Sequence, residues 1–137
     1  MAVTHLTQSQ IAGLLGFSAV VWMIDVTKIR FTGHYCYVTS WRRVGTLLAT
    51  IPLAFSVIVF TQKFFGIHST QMLSAVTIVS ATTLLLHGVA ITWFPHLYEN
   101  ETIKRTNPRL ATVLSRMGAG WVLYGTGLCL AMAVVIR

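Results

Sequence analysis

Charge is what this sequence lacks most. Only 9% of its 137 residues are Asp, Glu, Lys or Arg, where a soluble domain carries about a quarter. Asp25, Glu99 and Glu101 are the only acidic residues. A water-soluble fold of this size cannot cover its surface with so few charges, so lipid is the obvious alternative solvent. The charges are also missing in blocks. Met1 to Ile24, Val44 to Gln62, Phe64 to Tyr98 and Met117 to Ile136 contain none. Each block can house a helix of about 20 apolar residues, the length that crosses a hydrocarbon core about 30 Å thick.

Other absences narrow the reading. No Lys or Arg precedes the first apolar run and no small-residue cleavage pattern follows it, so it reads as a retained helix rather than a signal peptide. The two cysteines, Cys36 and Cys129, are expected about 20 Å apart in depth at 1.5 Å per helical residue. A disulfide needs alpha carbons within about 7 Å, so free thiols are expected. There is no Cys-x-x-Cys, and His5, His34, His68 and His96 fall in loops or at interfaces. No metal site is therefore expected, and haem only if a partner chain supplies a second ligand. Neither internal repeats, low-complexity segments nor a catalytic constellation is present, so no catalytic residue is assigned and a non-enzymatic role is expected.

What is present specifies an all-α integral membrane protein. The expected architecture is a single transmembrane domain over 1–137, a four-transmembrane-helix up-down bundle with helices near 8–26, 44–65, 71–94 and 111–136. Lys28, Arg30, Arg42 and Arg43 share the first connection, and Lys104, Arg105, Arg109 and Arg116 the third. The opposite face has only Lys63 and Arg137. Short loops rich in Lys and Arg stay cytoplasmic, which puts both termini on the non-cytoplasmic side. Trp22, Trp41, Trp93 and Trp121 all fall near the cytoplasmic interface, where indoles prefer to sit. A net charge of +7 would indicate nucleic acid in a soluble protein. Sorted by loop in this way, it indicates a bilayer with anionic headgroups and no nucleic acid. The expected location is a bacterial inner membrane, or an organelle membrane of equivalent topology.

Intramembrane polar residues are the first candidates for function. Ser80, Thr83 and His87 share one helical face, with Thr77 at its margin, and form a candidate intramembrane polar site. Asp25, at the expected end of the first helix, is disfavoured by the helix dipole and is expected to pair with Lys28. The connection from Thr27 to Arg43 is expected to be a loop that folds over the bundle. Its residues Lys28, Arg30, Tyr35, Tyr37, Trp41, Arg42 and Arg43 are candidates for contact with lipid headgroups or a partner. Gly13 and Gly16 in the first helix, and Gly118, Gly120, Gly125 and Gly127 in the fourth, mark close helix packing. Pro52 is expected to kink the second helix.

The stretch Leu84-Leu85-Leu86-His87-Gly88-Val89-Ala90-Ile91-Thr92-Trp93-Phe94-Pro95-His96-Leu97-Tyr98 resembles a pattern in small, uncharacterised four-helix bacterial membrane proteins. There a third helix ends in an aromatic-Phe-Pro-x-x-aromatic exit and a glycine-bearing fourth helix follows, as in Trp121-Val122-Leu123-Tyr124-Gly125. The resemblance covers mainly 84–125, and those relatives more often carry Asp at the position of His87. It implies the same four-helix fold and lends no activity. The leading functional expectation is a small accessory or scaffolding subunit of a larger membrane complex, in contact with other membrane subunits. The alternatives are a homo-oligomeric transporter or channel built around the His87 stripe, and a haem- or quinone-associated redox subunit.

Overall fold

A computed structural model describes residues 5–136; Arg137 lies outside them. Five α-helices and no strand occur among the described residues: α1 (Gln8–Cys36), α2 (Ser40–Phe64), α3 (Met72–Trp93), α4 (Glu101–Thr106) and α5 (Pro108–Val135). Two 3-10 turns, Ser69–Gln71 and Pro95–Leu97, bracket α3. All but α4 are long and apolar enough to cross a membrane.

The helix starts are written locally. Thr7 opens α1 with a capping box to Gln10, Thr39 accepts from the Arg42 amide, and Asn107 accepts from Leu110 with Pro108 behind it. Each side chain satisfies an amide that has no partner within its helix. At the other end of α2, Gly66 takes φ 59°, a left-handed conformation that suits glycine.

Two expected boundaries move. The first helix continues to Cys36, and the second begins at Ser40. The long connecting loop is therefore only the turn between them, and the last turns of α1 carry the basic and aromatic residues assigned to it. At 29 residues, α1 is about 43 Å long, so a bilayer would leave roughly its last two turns in the headgroup region. Charge marks where the apolar span stops, not where the helix stops. The segment after Pro95 is also structured: Asn100 caps α4 and donates to the Arg30 carbonyl, tying this corner to α1.

The neighbours in space are not the neighbours in sequence. α1 packs mainly along α3, and α2 along α5, while α1 and α2 touch little. The pairs α1/α3 and α2/α5 each run parallel, and α3 meets α5 antiparallel. One core joins Leu14, Ile58, Ile67, Met72 and Ala133 at the end holding both chain ends. A second joins Ile29, Tyr37, Ala90, Tyr98, Leu114 and Trp121 at the basic end. Outside these, Leu15, Met23, Ile24, Leu48, Phe55 and Leu85 are exposed, an apolar surface far beyond what water tolerates.

The glycines divide. A Cβ on Gly118 would sit 2.5 Å from Ile29 Cγ2, one on Gly13 2.7 Å from the Phe65 ring, and one on Gly125 3.3 Å from Thr50. These three mark close approaches of α5 to α1, α1 to the end of α2, and α5 to α2. Gly16, Gly120 and Gly127 meet nothing within 4 Å, so they face outward and take no part in packing this chain. α2 runs through Pro52 as one helix.

Candidate functional site

At the basic end of the α1/α3 pair, four side chains form a hydrogen-bonded line. Trp22 Nε1 lies 3.3 Å from Tyr98 Oη, Tyr98 Oη 2.8 Å from His87 Nδ1, and His87 Nε2 3.4 Å from Asp25 Oδ2. Trp22 and Asp25 face one side of α1, one turn apart. His87 comes from α3, and Tyr98 returns to it because the Pro95–Leu97 turn reverses the chain just past the helix. His87 is 4% exposed and Tyr98 is buried, while the Asp25 side chain keeps 16% of its surface accessible.

Donor chemistry orders the protons. An indole N–H only donates, so Tyr98 accepts from Trp22. Its own O–H then donates to Nδ1 of a neutral His87, whose Nε2–H donates to the Asp25 carboxylate. A protonated His87 keeps both partners as well: Nδ1–H donates to Tyr98 Oη, which then accepts from two donors while its own O–H turns away and gives up its acceptor, at some cost. Both charge states of the imidazole keep their partners. Burial pushes the Tyr98 phenol above its ordinary pKa, opposed in part by the Trp22 hydrogen bond, so at neutral pH Tyr98 remains a donor.

Asp25 faces a cavity of about 90 Å³ between α1, α2, α3 and α5. Its walls include Leu53, Ala54, Val57 and Val79, the indole of Trp121, and the polar residues Thr50, Ser80 and Thr83. Trp121 Nε1 donates to Thr50 Oγ1 at 2.6 Å, and Thr83 Oγ1 to the Ser18 carbonyl at 3.5 Å. Thr50, Thr61 and Thr126 donate their protons to carbonyls of their own helices. A cavity of this size accepts a few waters or one small molecule.

Several sequence assignments are redrawn by this geometry. Ser80, Thr83 and His87 are buried on one face, but Thr77 is exposed and its hydroxyl serves only the Leu73 carbonyl. Asp25 does not pair with Lys28. It lies within α1 rather than at its end, so the dipole penalty does not apply there, and α3 supplies His87. The Lys28 ammonium instead lies 3.3 Å from the centroid of the Trp121 indole, a cation–π contact. Lys28 and Tyr37 therefore turn into the bundle and are not available for lipid or partner contact. Tyr37 is buried, and burial pushes its phenol well above the ordinary tyrosine value. Arg43 donates to the carbonyls of Tyr37 and Val38, and Arg42 to that of Tyr35, closing the turn between α1 and α2. Of the proposed contact residues, Trp41 at 82% exposure, Tyr35 at 64% and Arg42 remain on the surface. Arg30 lies beside Phe31.

The tryptophans also differ in role. Trp41 and Trp93 are exposed, as interfacial indoles would be, but Trp22 and Trp121 direct their N–H groups into the bundle. His96 stays exposed, edge-on to Phe94. Tyr98, not His96, is what the Pro95 turn delivers to His87. Glu99 pairs with Lys104 at 2.7 Å, and this carboxylate raises the lysine pKa. Both ring nitrogens of His87 are hydrogen-bonded, so ligating a haem iron would require breaking one of these bonds. Nothing among protein-family models, curated proteins or solved structures matches this chain.

Proposed function

We propose that the chain is a multi-pass membrane protein that binds and releases a proton at the Asp25–His87 pair in order to move a small solute. The observation that carries this reading is the hydrogen-bonded set Trp22–Tyr98–His87–Asp25, whose carboxylate lines a cavity among the four long helices. An ionisable pair inside a membrane bundle marks a proton or substrate path. Here the imidazole changes charge with both partners retained, and the carboxylate meets the cavity. Basic residues at one end support a cytoplasmic position for that end under the positive-inside rule, with both termini opposite. A bacterial inner membrane suits this arrangement and the resemblance of 84–125. Four helices enclose little more than a small-ion-sized path, so the transporting form is an assembly of copies, with outward-facing Gly16, Gly120 and Gly127 free for close contact.

The test uses His87→Gln. A glutamine carbonyl accepts from Tyr98 and its amide donates toward Asp25, so packing is kept while the titratable group is removed. In vesicles holding a pH-sensitive dye, wild type is expected to show pH-dependent flux, and the glutamine variant to fold but lose it. Unchanged flux in that variant would refute the proton role.

A second reading, the accessory subunit, draws on Trp41. It is a first-turn residue of α2 and 82% exposed, and Phe31 and Tyr35 near the end of α1 are exposed as well, aromatic surface that a partner would cover. Mass measurement after gentle solubilisation separates the readings: a homogeneous assembly of this chain alone removes the accessory role.

A further inference from the structure

We infer that the cavity beside Asp25 binds a small alkylammonium ion, of dimethylammonium size or less, and that this ion and the proton compete for the same carboxylate. The inference rests on the proton-binding reading above and names the class of solute.

Asp25 supplies the charge selectivity. Its Oδ2 faces His87, whereas Oδ1 has no protein partner among the described residues. The Asp25 side chain keeps 16% of its surface accessible, so this oxygen meets the cavity, where a cation would gain from its charge and an anion would be repelled. A neutral solute would leave the oxygen's charge unanswered. The occupant that completes the site is a cation.

The walls decide which cation. Alkali and divalent ions need about six oxygen ligands to replace their water. This cavity offers one carboxylate and a few hydroxyls among Leu53, Val57, Val79 and Val122. The hydroxyls of Thr50, Thr61 and Thr126 donate to helix carbonyls and Thr50 also accepts from Trp121, so the lone pairs that remain are too few to complete such a shell. An alkylammonium spreads its charge over methyl groups, loses less hydration, and packs those methyls on hydrocarbon and on the Trp121 indole. Lys28 shows that this indole accepts an ammonium, at 3.3 Å. Lys28 is not among the cavity walls, so it does not fill the proposed place. About 90 Å³ is less than the roughly 150 Å³ that admits benzene, so the ion must be smaller than benzene, which admits methylammonium and dimethylammonium and leaves out the neopentane-shaped tetramethylammonium.

Competition follows from the neighbours of Asp25. α3 contributes His87, the segment after Pro95 contributes Tyr98, and α1 contributes Lys28. α5 contributes Cys129, and α2 contributes no ionisable side chain to the walls. A proton added to the His87–Asp25 pair cancels the charge that attracts the ammonium, so binding of one expels the other.

The test titrates dimethylammonium chloride into the solubilised full-length protein by calorimetry, with sodium chloride as the matched control. Buffers of different ionisation enthalpy report protons released. Expected are saturable binding with proton release, weaker binding as pH falls, and at least a tenfold loss in D25N. A54L, which fills the cavity without touching Asp25, is expected to lose binding but keep the His87 titration seen by nitrogen-15 NMR. Absence of binding in wild type, or equal binding in D25N, overturns the inference. If His87 still titrates while no ammonium binds, the solute class fails and the proton site survives. If His87 does not titrate, the proton reading itself fails.

Discussion

Gly118→Ala tests the packing that brings α5 against α1 beside the site. The added Cβ would stand 2.5, 2.8 and 3.0 Å from Ile29 Cγ2, Cγ1 and Cδ1, where carbon atoms settle at about 3.5–4.0 Å. The overlap is close to 1 Å at two of the three atoms. Ile29 is 2% exposed and β-branched, so its χ1 has essentially one helical rotamer and cannot swing aside. The helices must separate, at a cost of about 1–3 kcal/mol for overpacking, and the contact of Lys28 with Trp121, one residue away on α1, should loosen with it. Equilibrium unfolding in mixed micelles reads the cost. The Ile29→Ala background should absorb most of it, giving a coupling of about 1–2 kcal/mol in the double-mutant cycle. Gly120→Ala and Gly127→Ala, with open space, should be neutral or slightly stabilising, since alanine favours helix by roughly 1 kcal/mol over glycine. If Gly118→Ala matches those two controls, or costs the same with Ile29 removed, the close crossing is wrong.

Three further outcomes can be checked by the same unfolding measurement. Gly66→Ala should cost about 1–2 kcal/mol through its positive φ alone, because a Cβ there meets nothing. Asn107→Ala should cost about 0.5–2 kcal/mol by removing the α5 cap. Tyr37 holds its proton more tightly folded than unfolded, so its stabilising contribution is complete below the ordinary tyrosine pKa near 10 and declines above it. Tyr37→Phe should flatten that alkaline loss without weakening the fold at neutral pH, since the buried hydroxyl has no partner.

The existence and kind of the four long helices were legible because uncharged blocks and chain length are properties of single segments. The end of α1 was not, because the charge at Asp25 that ends the apolar run does not end the helix, which continues through Lys28 and Arg30 to Cys36. The helix passes through them: Lys28 finds an indole on α5 and Arg30 gives its carbonyl to Asn100. The Ser80–Thr83–His87 face was visible from spacing on one helix. Its partners were hidden because hydropathy does not say which helices touch, and the pairing of α1 with α3 skips the sequence neighbour. Tyr98 had a faint signal, since a proline two residues past the end of α3 forces a reversal. Which side chain the turn returns depends on its 3-10 geometry, and a three-residue step selects Tyr98 over His96. The glycines show the same limit: spacing named six, while only the facing helix decides that Gly118 is crowded and Gly120 is bare.

The partners of His87 are what separate a proton-binding role from simple packing. A histidine that only cross-links two helices needs one protonation state, and a fixed donor on one side with a fixed acceptor on the other would hold it there. Here the Asp25 carboxylate accepts in either state, and the Tyr98 hydroxyl is amphoteric. Tyr98 is itself held by Trp22, a donor-only group that leaves the phenol oxygen in place whichever way its proton turns. Proton uptake at Nδ1 thus needs a hydroxyl rotation and no helix movement. The second proton meets a carboxylate that opens on the cavity, so charge at the buried pair is felt where a solute would bind. Interhelical hydrogen bonds in membranes average only about 0.6 kcal/mol, which is little reward for placing an acid and a base there. Coupling a proton to the cavity is a use that the placement does explain.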